Sequence, residues 1–200
     1  MSSPQDLVLA SANAGKITEL QQMLGGLGVK IIPQTDLDIP DIEETGLTFV
    51  ENAILKARNA AALSNLPAIA DDSGLEVDFL QGSPGIYSAR FAGEDAGDEA
   101  NKDKLLQLMA DVPTDQRSAR YQTVIVYMRH GYDPTPIICQ GTWEGLIATE
   151  ARGDQGFGYD PIFYVTETNC HAAELDKVTK NRLSHRGKAI ANLLQQLQTR

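Results

Sequence analysis

Three observations predict an α/β fold with a mixed sheet. Short apolar runs alternate with helical patterns over the first 80 residues, as parallel strands joined by helices require. Two-residue alternation from Arg120 to Arg129 is followed by a second such stretch from Pro136 to Thr149, which together read as an antiparallel hairpin. The chain has 200 residues, 42% of them hydrophobic and 22% charged, enough to bury one substantial core. One domain spanning residues 1–200 is therefore expected, with neither repeats nor low-complexity linkers.

Residues 7–11 read as a buried strand. A helix from Ala14 to Leu27 places Ile17, Leu20, Leu24 and Leu27 on one stripe, with Gly25, Gly26 and Gly28 at its stop. Val29–Ile32 is a second strand, and an acidic loop runs from Gln34 to Gly46. Thr48 caps the next helix, with Glu51 three residues on completing a capping box. That helix continues to Ser64 with a stripe of Ile54, Ala57, Ala61 and Leu63. Strands at 67–71 and 75–79 flank a turn at Asp71-Asp72-Ser73-Gly74, and a further helix covers Asp98 to Met109. Gly153–Pro161 is a glycine-rich loop. Ser184 caps a C-terminal helix that buries Ile190, Leu193, Leu194 and Leu197.

Bulk properties exclude several classes of function. The formal charge of −10 has the wrong sign for gripping a nucleic-acid backbone. No apolar run approaches the ~20 residues of a membrane span, and Met1–Asp6 lacks the basic start of a signal peptide. A cytoplasmic protein that binds neither nucleic acid nor membrane is expected. Cys139 sits in a strand-like run and Cys170 in a polar loop; neither has a partner at ligand spacing, and both read as buried or incidental thiols. His130 and His171 read as surface residues, Glu43 as solvated, and Trp143 and Tyr87 as core or dimer contacts.

Adjacent carboxylates at the end of the apolar run Ala68-Ile69-Ala70 are the most informative feature. Side chains alternate along a strand, so Asp71 and Asp72 point in opposite directions unless the chain has already turned, and one can face a cleft while the other braces the turn. Such an acid at a strand end suits a hard cation such as Mg²⁺, and a solvated Asx turn is the plain alternative. Ser11-Ala12-Asn13-Ala14-Gly15-Lys16 joins the first strand to a helix start, where backbone N–H groups and the lysine attract anions. It is not a P-loop, having one glycine and Ile17 after the lysine.

Taken with Glu44-Thr45-Gly46-x-Thr48-Phe49-x-Glu51-Asn52-Ala53, Pro84-Gly85-Ile86-Tyr87-Ser88-Ala89-Arg90, Gly156-Phe157-Gly158-Tyr159-Asp160-Pro161 and Ser184-His185-Arg186, these segments form an ordered set of six. From Leu7 to Leu197 the chain strongly resembles the pyrophosphatases of noncanonical purine nucleoside triphosphates, the inosine triphosphatase family, in its bacterial form. The resemblance implies a mixed, twisted sheet with flanking helices, in two lobes with a central cleft. It also implies a Mg²⁺-dependent homodimer that hydrolyses dITP, ITP and XTP to the monophosphate and pyrophosphate. By the same resemblance Asp72 is general base and metal ligand, and Glu44 the other acidic metal contact. Asp71 is left as either a second metal contact or a structural brace. Lys16 and Lys180 match lysines that contact phosphate and nucleotide, with Ser11, Ala12, Asn13, Ala14, Gly15 and Ser73 beside them. Lys56 is either a further contact of this type or a surface lysine. Base recognition falls to Phe157, Gly158, Tyr159, Asp160, His185 and Arg186, whose donors suit the 6-oxo group of inosine and xanthine and oppose the 6-amino group of adenine. The competing readings are a nucleotide-binding regulator without catalysis and a pyrophosphatase for other modified nucleotides. Ser11 departs from the threonine common in the family, and Arg152–Gly156 and Thr168–His171 from its usual lead-in segments.

Overall fold

The computed structural model describes residues 6–25 and 28–199. Its strands form one seven-stranded sheet in the order β2-β1-β3-β4-β5-β6-β7. These are β1 (Leu7–Ala10), β2 (Ile31–Pro33), β3 (Ala68–Val77), β4 (Ser118–Met128), β5 (Ile137–Ile147), β6 (Phe163–Val165) and β7 (Cys170–His171). The helices are α1 (Ala14–Leu24), α2 (Phe49–Ser64), α3 (Asp98–Leu108), α4 (Lys177–Leu183) and α5 (His185–Gln198). Strand β1 pairs parallel with both β2 and β3, whereas β6 pairs antiparallel with β5 and β7, so the sheet is mixed as expected. The Ile147 N–H donates to the Arg117 carbonyl, setting the end of β5 beside the start of β4 as a hairpin requires. Among the described residues no helix is long and apolar enough to cross a membrane.

The chain divides into two compact units. The first holds residues up to Asp72, Thr123–Gly141 and Arg186 onward, and its strands are apolar on both faces. Val8, Ala10, Ala68, Ala70, Val124 and Val126 meet the small side chains Ala53, Ala57, Ala60 and Ala61 of α2. Leu7, Leu9, Ile69 and Ile125, alternating with them, meet Leu20 and Leu24 of α1 and Ala189, Ile190 and Leu193 of α5. Each fully buried leucine or isoleucine here contributes about 1.5–3 kcal/mol. The second unit holds Ser73–Gln122 and Thr142–His185 around a core that includes Leu75, Leu105, Met109, Tyr121, Trp143 and Phe163. Arg117, 2% exposed, ties that core together by donating to the carbonyls of Met109, Val112, Ile147 and Ala148.

Several expectations need correction. The Asp71-Asp72-Ser73-Gly74 segment is not a turn between two strands, because β3 runs unbroken from Ala68 to Val77. Gly74 serves close approach instead of chain reversal. A Cβ there would lie 2.2 Å from the Gly85 carbonyl and 2.7 Å from the Ser88 hydroxyl, which donates to that carbonyl and accepts from the Leu75 N–H. The strand ends in a 3₁₀ turn at Asp78–Leu80 instead of continuing to 79. The first strand stops at Ala10, and the second is Ile31–Pro33 instead of 29–32. Helix α1 ends at Leu24, and the expectation for Gly26 and Leu27 lies outside the described residues. Leu63 is exposed, off the alanine face, and Tyr87 is exposed, so of its two readings the core one falls and the dimer contact stays an expectation. His171 is buried, its Nδ1 2.6 Å from the Pro161 carbonyl, and Cys170 lies in β7 instead of a loop. Helix α4 and strands β6 and β7 were not anticipated. Ser184 closes α4, its N–H on the Lys180 carbonyl at 2.9 Å, immediately before α5 begins.

Candidate active site

In the first unit the alternation along β3 decides the chemistry. Asp71 shares the face of Ile69, toward α1 and α5, while Asp72 shares that of Ala68 and Ala70, toward α2. Asp71 Oδ2 lies 3.1 Å from Lys16 Nζ and 3.3 Å from Arg186 Nη2, and Arg186 Nη1 donates at 2.6 Å to Glu19 Oε2. Burial would raise the Asp71 pKa, but the charges of Lys16, Arg186 and Lys56 outweigh it and hold the carboxyl well below its ordinary range. Burial lowers the pKa of Lys16, against the pull of Asp71.

Asp72 sits in a different environment. Lys56 Nζ donates to Asp72 Oδ1 at 3.0 Å and to Glu44 Oε1 at 2.9 Å, so two carboxylate oxygens converge on one cation. Asn52 Nδ2 lies 3.4 Å from Asp72 Oδ2, and Asn52 Oδ1 accepts from the Gly46 N–H at 2.8 Å. A Cβ at Gly46 would stand 2.6 Å from Asn52 Oδ1, which explains a glycine two residues after Glu44. Burial raises the Asp72 pKa, with the nearby Glu44 charge acting the same way, despite opposing pulls from Lys56 and Lys16. Lys56 is held above its ordinary value, burial being outweighed by Asp72, Asp71 and Glu44. The two adjacent acids are thus driven in opposite directions.

Helix α1 begins as the motif requires. Asn13 is its N-cap, accepting from the Lys16 N–H at 3.0 Å, and Ser11 Oγ accepts from the Asn13 N–H at 3.2 Å. Ala12 and Ala14 are exposed and Gly15 half-buried at this start. Ser73 is half-buried, next along β3. At the start of α2 the Glu51 N–H reaches Thr48 Oγ1 at 3.4 Å, while the Glu51 carboxylate accepts from the Leu47 N–H and the Thr48 hydroxyl. The anticipated reciprocal cap is thus displaced by one residue.

In the second unit Asp160 organises the glycine-rich loop. Its Oδ2 accepts from Lys180 Nζ at 2.7 Å and from the Phe157 N–H at 2.9 Å, and its Oδ1 accepts from the Tyr121 hydroxyl at 3.3 Å. Lys180 Nζ stands 5.2 Å from the centre of the Phe157 ring. Gly156 has φ +79°, and a Cβ there would fall 2.1 Å from Asp160 Oδ2. The Gly158 N–H donates to Asp98 Oδ2 at 2.7 Å, and the Tyr159 hydroxyl donates to the Ser88 carbonyl at 2.8 Å. His185 is buried and stacked on Tyr121, centroids 4.7 Å apart and planes 8° from parallel.

The Ham1 family model matches residues 7–196. The chain belongs to the Ham1 family. A dITP/XTP pyrophosphatase of Vibrio cholerae is 56% identical to it over 192 residues, 96% of each chain. The protein of the same name from Thioalkalivibrio sulfidiphilus is 58% identical over 194 residues, 97% of this chain and 99% of that one. The structure of a Ham1 protein from Coxiella burnetii matches with a TM-score of 0.90 at 50% identity, covering 98% of this chain and 100% of that one. The Ham1 protein of Staphylococcus aureus matches with a TM-score of 0.86 at 43% identity, covering 98% and 99%.

Sequence reasoning placed His185 and Arg186 together as base readers in this Ham1 chain. In the structure His185 joins the aromatic cluster, while the Arg186 guanidinium is engaged by Asp71 and Glu19. Glu19, Asn52, Asp98 and Tyr121 were missed. Glu19 lies three residues after Lys16, the spacing that sets two side chains on one helix face, and could have been found that way. Tyr121 and Asp98 act across long sequence separations and left no local signal.

Proposed function

We propose that this Ham1 protein hydrolyses the α–β phosphoanhydride of dITP, ITP and XTP, releasing the nucleoside monophosphate and pyrophosphate. The observation that carries this reading is the Asp72–Lys56–Glu44 cluster, which provides a carboxylate of raised pKa beside a second acid converging on the same cation. The family and its relatives named dITP/XTP pyrophosphatases support it.

Asp72 orients and deprotonates the attacking water, and a base whose pKa is shifted toward neutrality suits that task. Lys16 and the backbone N–H groups at the start of α1 hold the phosphates and meet the charge that develops as pyrophosphate leaves. Glu44 and Asp72 fit a divalent cation such as Mg²⁺, since both present hard oxygen donors at one point. Among the described residues no group of three or more His, Cys, Asp or Glu side chains could hold a metal ion, so Glu44 and Asp72 would hold it as a pair. A bound Mg²⁺ would supply charge neutralisation at the phosphates. Lys56 tethers the two acids when they are not otherwise engaged. The Phe157 ring stacks on the purine, with Lys180 and His185 offering donors to its 6-oxo group. A homodimer in the cytoplasm completes the proposal, and light scattering checks the dimer.

The deciding experiment incubates the protein with dITP, XTP, dGTP, ATP and dTTP, with and without Mg²⁺, and assays pyrophosphate and orthophosphate separately. Mg²⁺-dependent pyrophosphate from dITP and XTP, with little from dGTP or ATP, is the expected result. Orthophosphate release, or equal turnover of every purine, overturns the reading.

A further inference from the structure

Tyr121 has no part in the mechanism above, yet it touches two of the groups assigned to the base. It stands on β4, is 8% exposed, and packs against Phe163 at 4.7 Å and Trp143 at 6.2 Å between ring centres. One end of the side chain, the hydroxyl, donates to Asp160 Oδ1 at 3.3 Å, while its face lies flat on the His185 imidazole. Asp160 in turn holds the Phe157 N–H and Lys180 Nζ through its other oxygen. The two oxygens of a carboxylate turn together about one torsion, so a donor on the second oxygen adds a further hold on the first. The Tyr121 hydroxyl contributes that hold. The ring does the equivalent for His185, whose stacked geometry leaves the imidazole a single plane in which its nitrogens lie.

We propose that Tyr121 is a positioning residue for base selection: through Asp160 it orients Phe157 and Lys180, and through stacking it orients His185. The proposal rests on the reading of those three residues as the base site. It assigns no contact between Tyr121 and the substrate. What it predicts is a selective loss, in which discrimination among purines suffers and handling of the triphosphate does not.

Tyr121→Phe removes the hydroxyl and keeps the ring. KM for dITP should rise about three- to tenfold, the scale of losing one typical hydrogen bond, as suits a bond of 3.3 Å. kcat should stay within about twofold, and the preference for dITP over dATP, whose 6-amino group those donors oppose, should narrow in kcat/KM by a similar factor. Inorganic tripolyphosphate, a competitor without a base, should inhibit wild type and variant equally. Tyr121→Leu removes the stack as well and should narrow the preference further, whereas Phe restores the part owed to the ring. An unchanged dITP preference in Tyr121→Phe overturns the proposal. So does a parallel loss of tripolyphosphate affinity, which would mark general loosening of the fold. A wild-type protein that turns over dITP and dATP alike overturns the functional reading and this one together, whereas a selective wild type with an equally selective Tyr121→Phe overturns this one alone.

Discussion

Replacing Asp71 with asparagine should unfold the protein more readily, whereas the same change at Asp72 should spare stability and stop turnover. Asp71 is 1% exposed and faces two cations, Lys16 at 3.1 Å and Arg186 at 3.3 Å. At an effective dielectric of about 20, each attraction is worth roughly 5 kcal/mol. Much of this is offset by the cost of burying the carboxylate, which asparagine escapes, and Glu19 still pairs with Arg186 in the variant. A lysine left beside an arginine without the shared anion should cost about 3–5 kcal/mol, the usual result of removing one member of a buried ion cluster. For a chain of this size, that lowers the unfolding midpoint by roughly 10 °C. For Asp72 burial already works against the charge, so asparagine should move the midpoint by only about 1–3 °C. Thermal unfolding at pH 7 followed by far-ultraviolet circular dichroism measures both variants side by side. Equal losses would refute the separation of roles. An Asp71→Asn protein with an unchanged midpoint and weakened Mg²⁺ binding would show Asp71 to be a metal contact instead of a brace.

Three further outcomes are expected. Asp72→Asn should reduce kcat for dITP at least a hundredfold, the low end for a general base, in a pyrophosphate-release assay. Gly156→Ala combines a positive φ with a Cβ 2.1 Å from Asp160 Oδ2, and should raise KM for dITP more than tenfold in the same assay. Asp133 accepts from the backbone N–H and guanidinium of Arg129 and from the Thr135 N–H at the β4–β5 turn, and the Arg129 hydrogen bonds hold its pKa well below the usual carboxylate range. A depressed folded-state pKa gives stability that is present above the unfolded value of about 4 and is lost as pH falls through the folded one. Urea midpoints of wild type and Asp133→Asn should therefore differ at pH 7 and converge on acidification below pH ~4.

Much of the frame was legible because local chemistry dictates it. Thr48 and Asn13 begin helices where capping residues should, and the alternation on β4 and β5 marks a sheet with two distinct faces. What was not legible depended on contacts distant in sequence. Gly74 looked like a turn residue, and only the Gly85 carbonyl packed against it reveals why a strand needs glycine there. Strands β6 and β7, three and two residues long, are too short for any period to register. His171 looked polar and exposed because its acceptor, the Pro161 carbonyl, lies ten residues back. At the site the residue types were readable, but the partner of each charge was not. Arg186 belongs to Asp71 and Glu19, and Lys56 to Asp72 and Glu44, pairings that follow from which face of β3 each acid takes.

That unbroken strand constrains how a damaged copy could be repaired by mutation. Since neighbouring positions on β3 present opposite faces, the acid already at 71, or one introduced at 73, lies in the wrong environment and could not stand in for a lost Asp72. Intragenic revertants selected from an Asp72→Asn parent should restore an acid at codon 72 itself. Second-site suppressors should be absent along the strand, and insertion of one residue ahead of Ile69 should be as damaging as deletion of both aspartates.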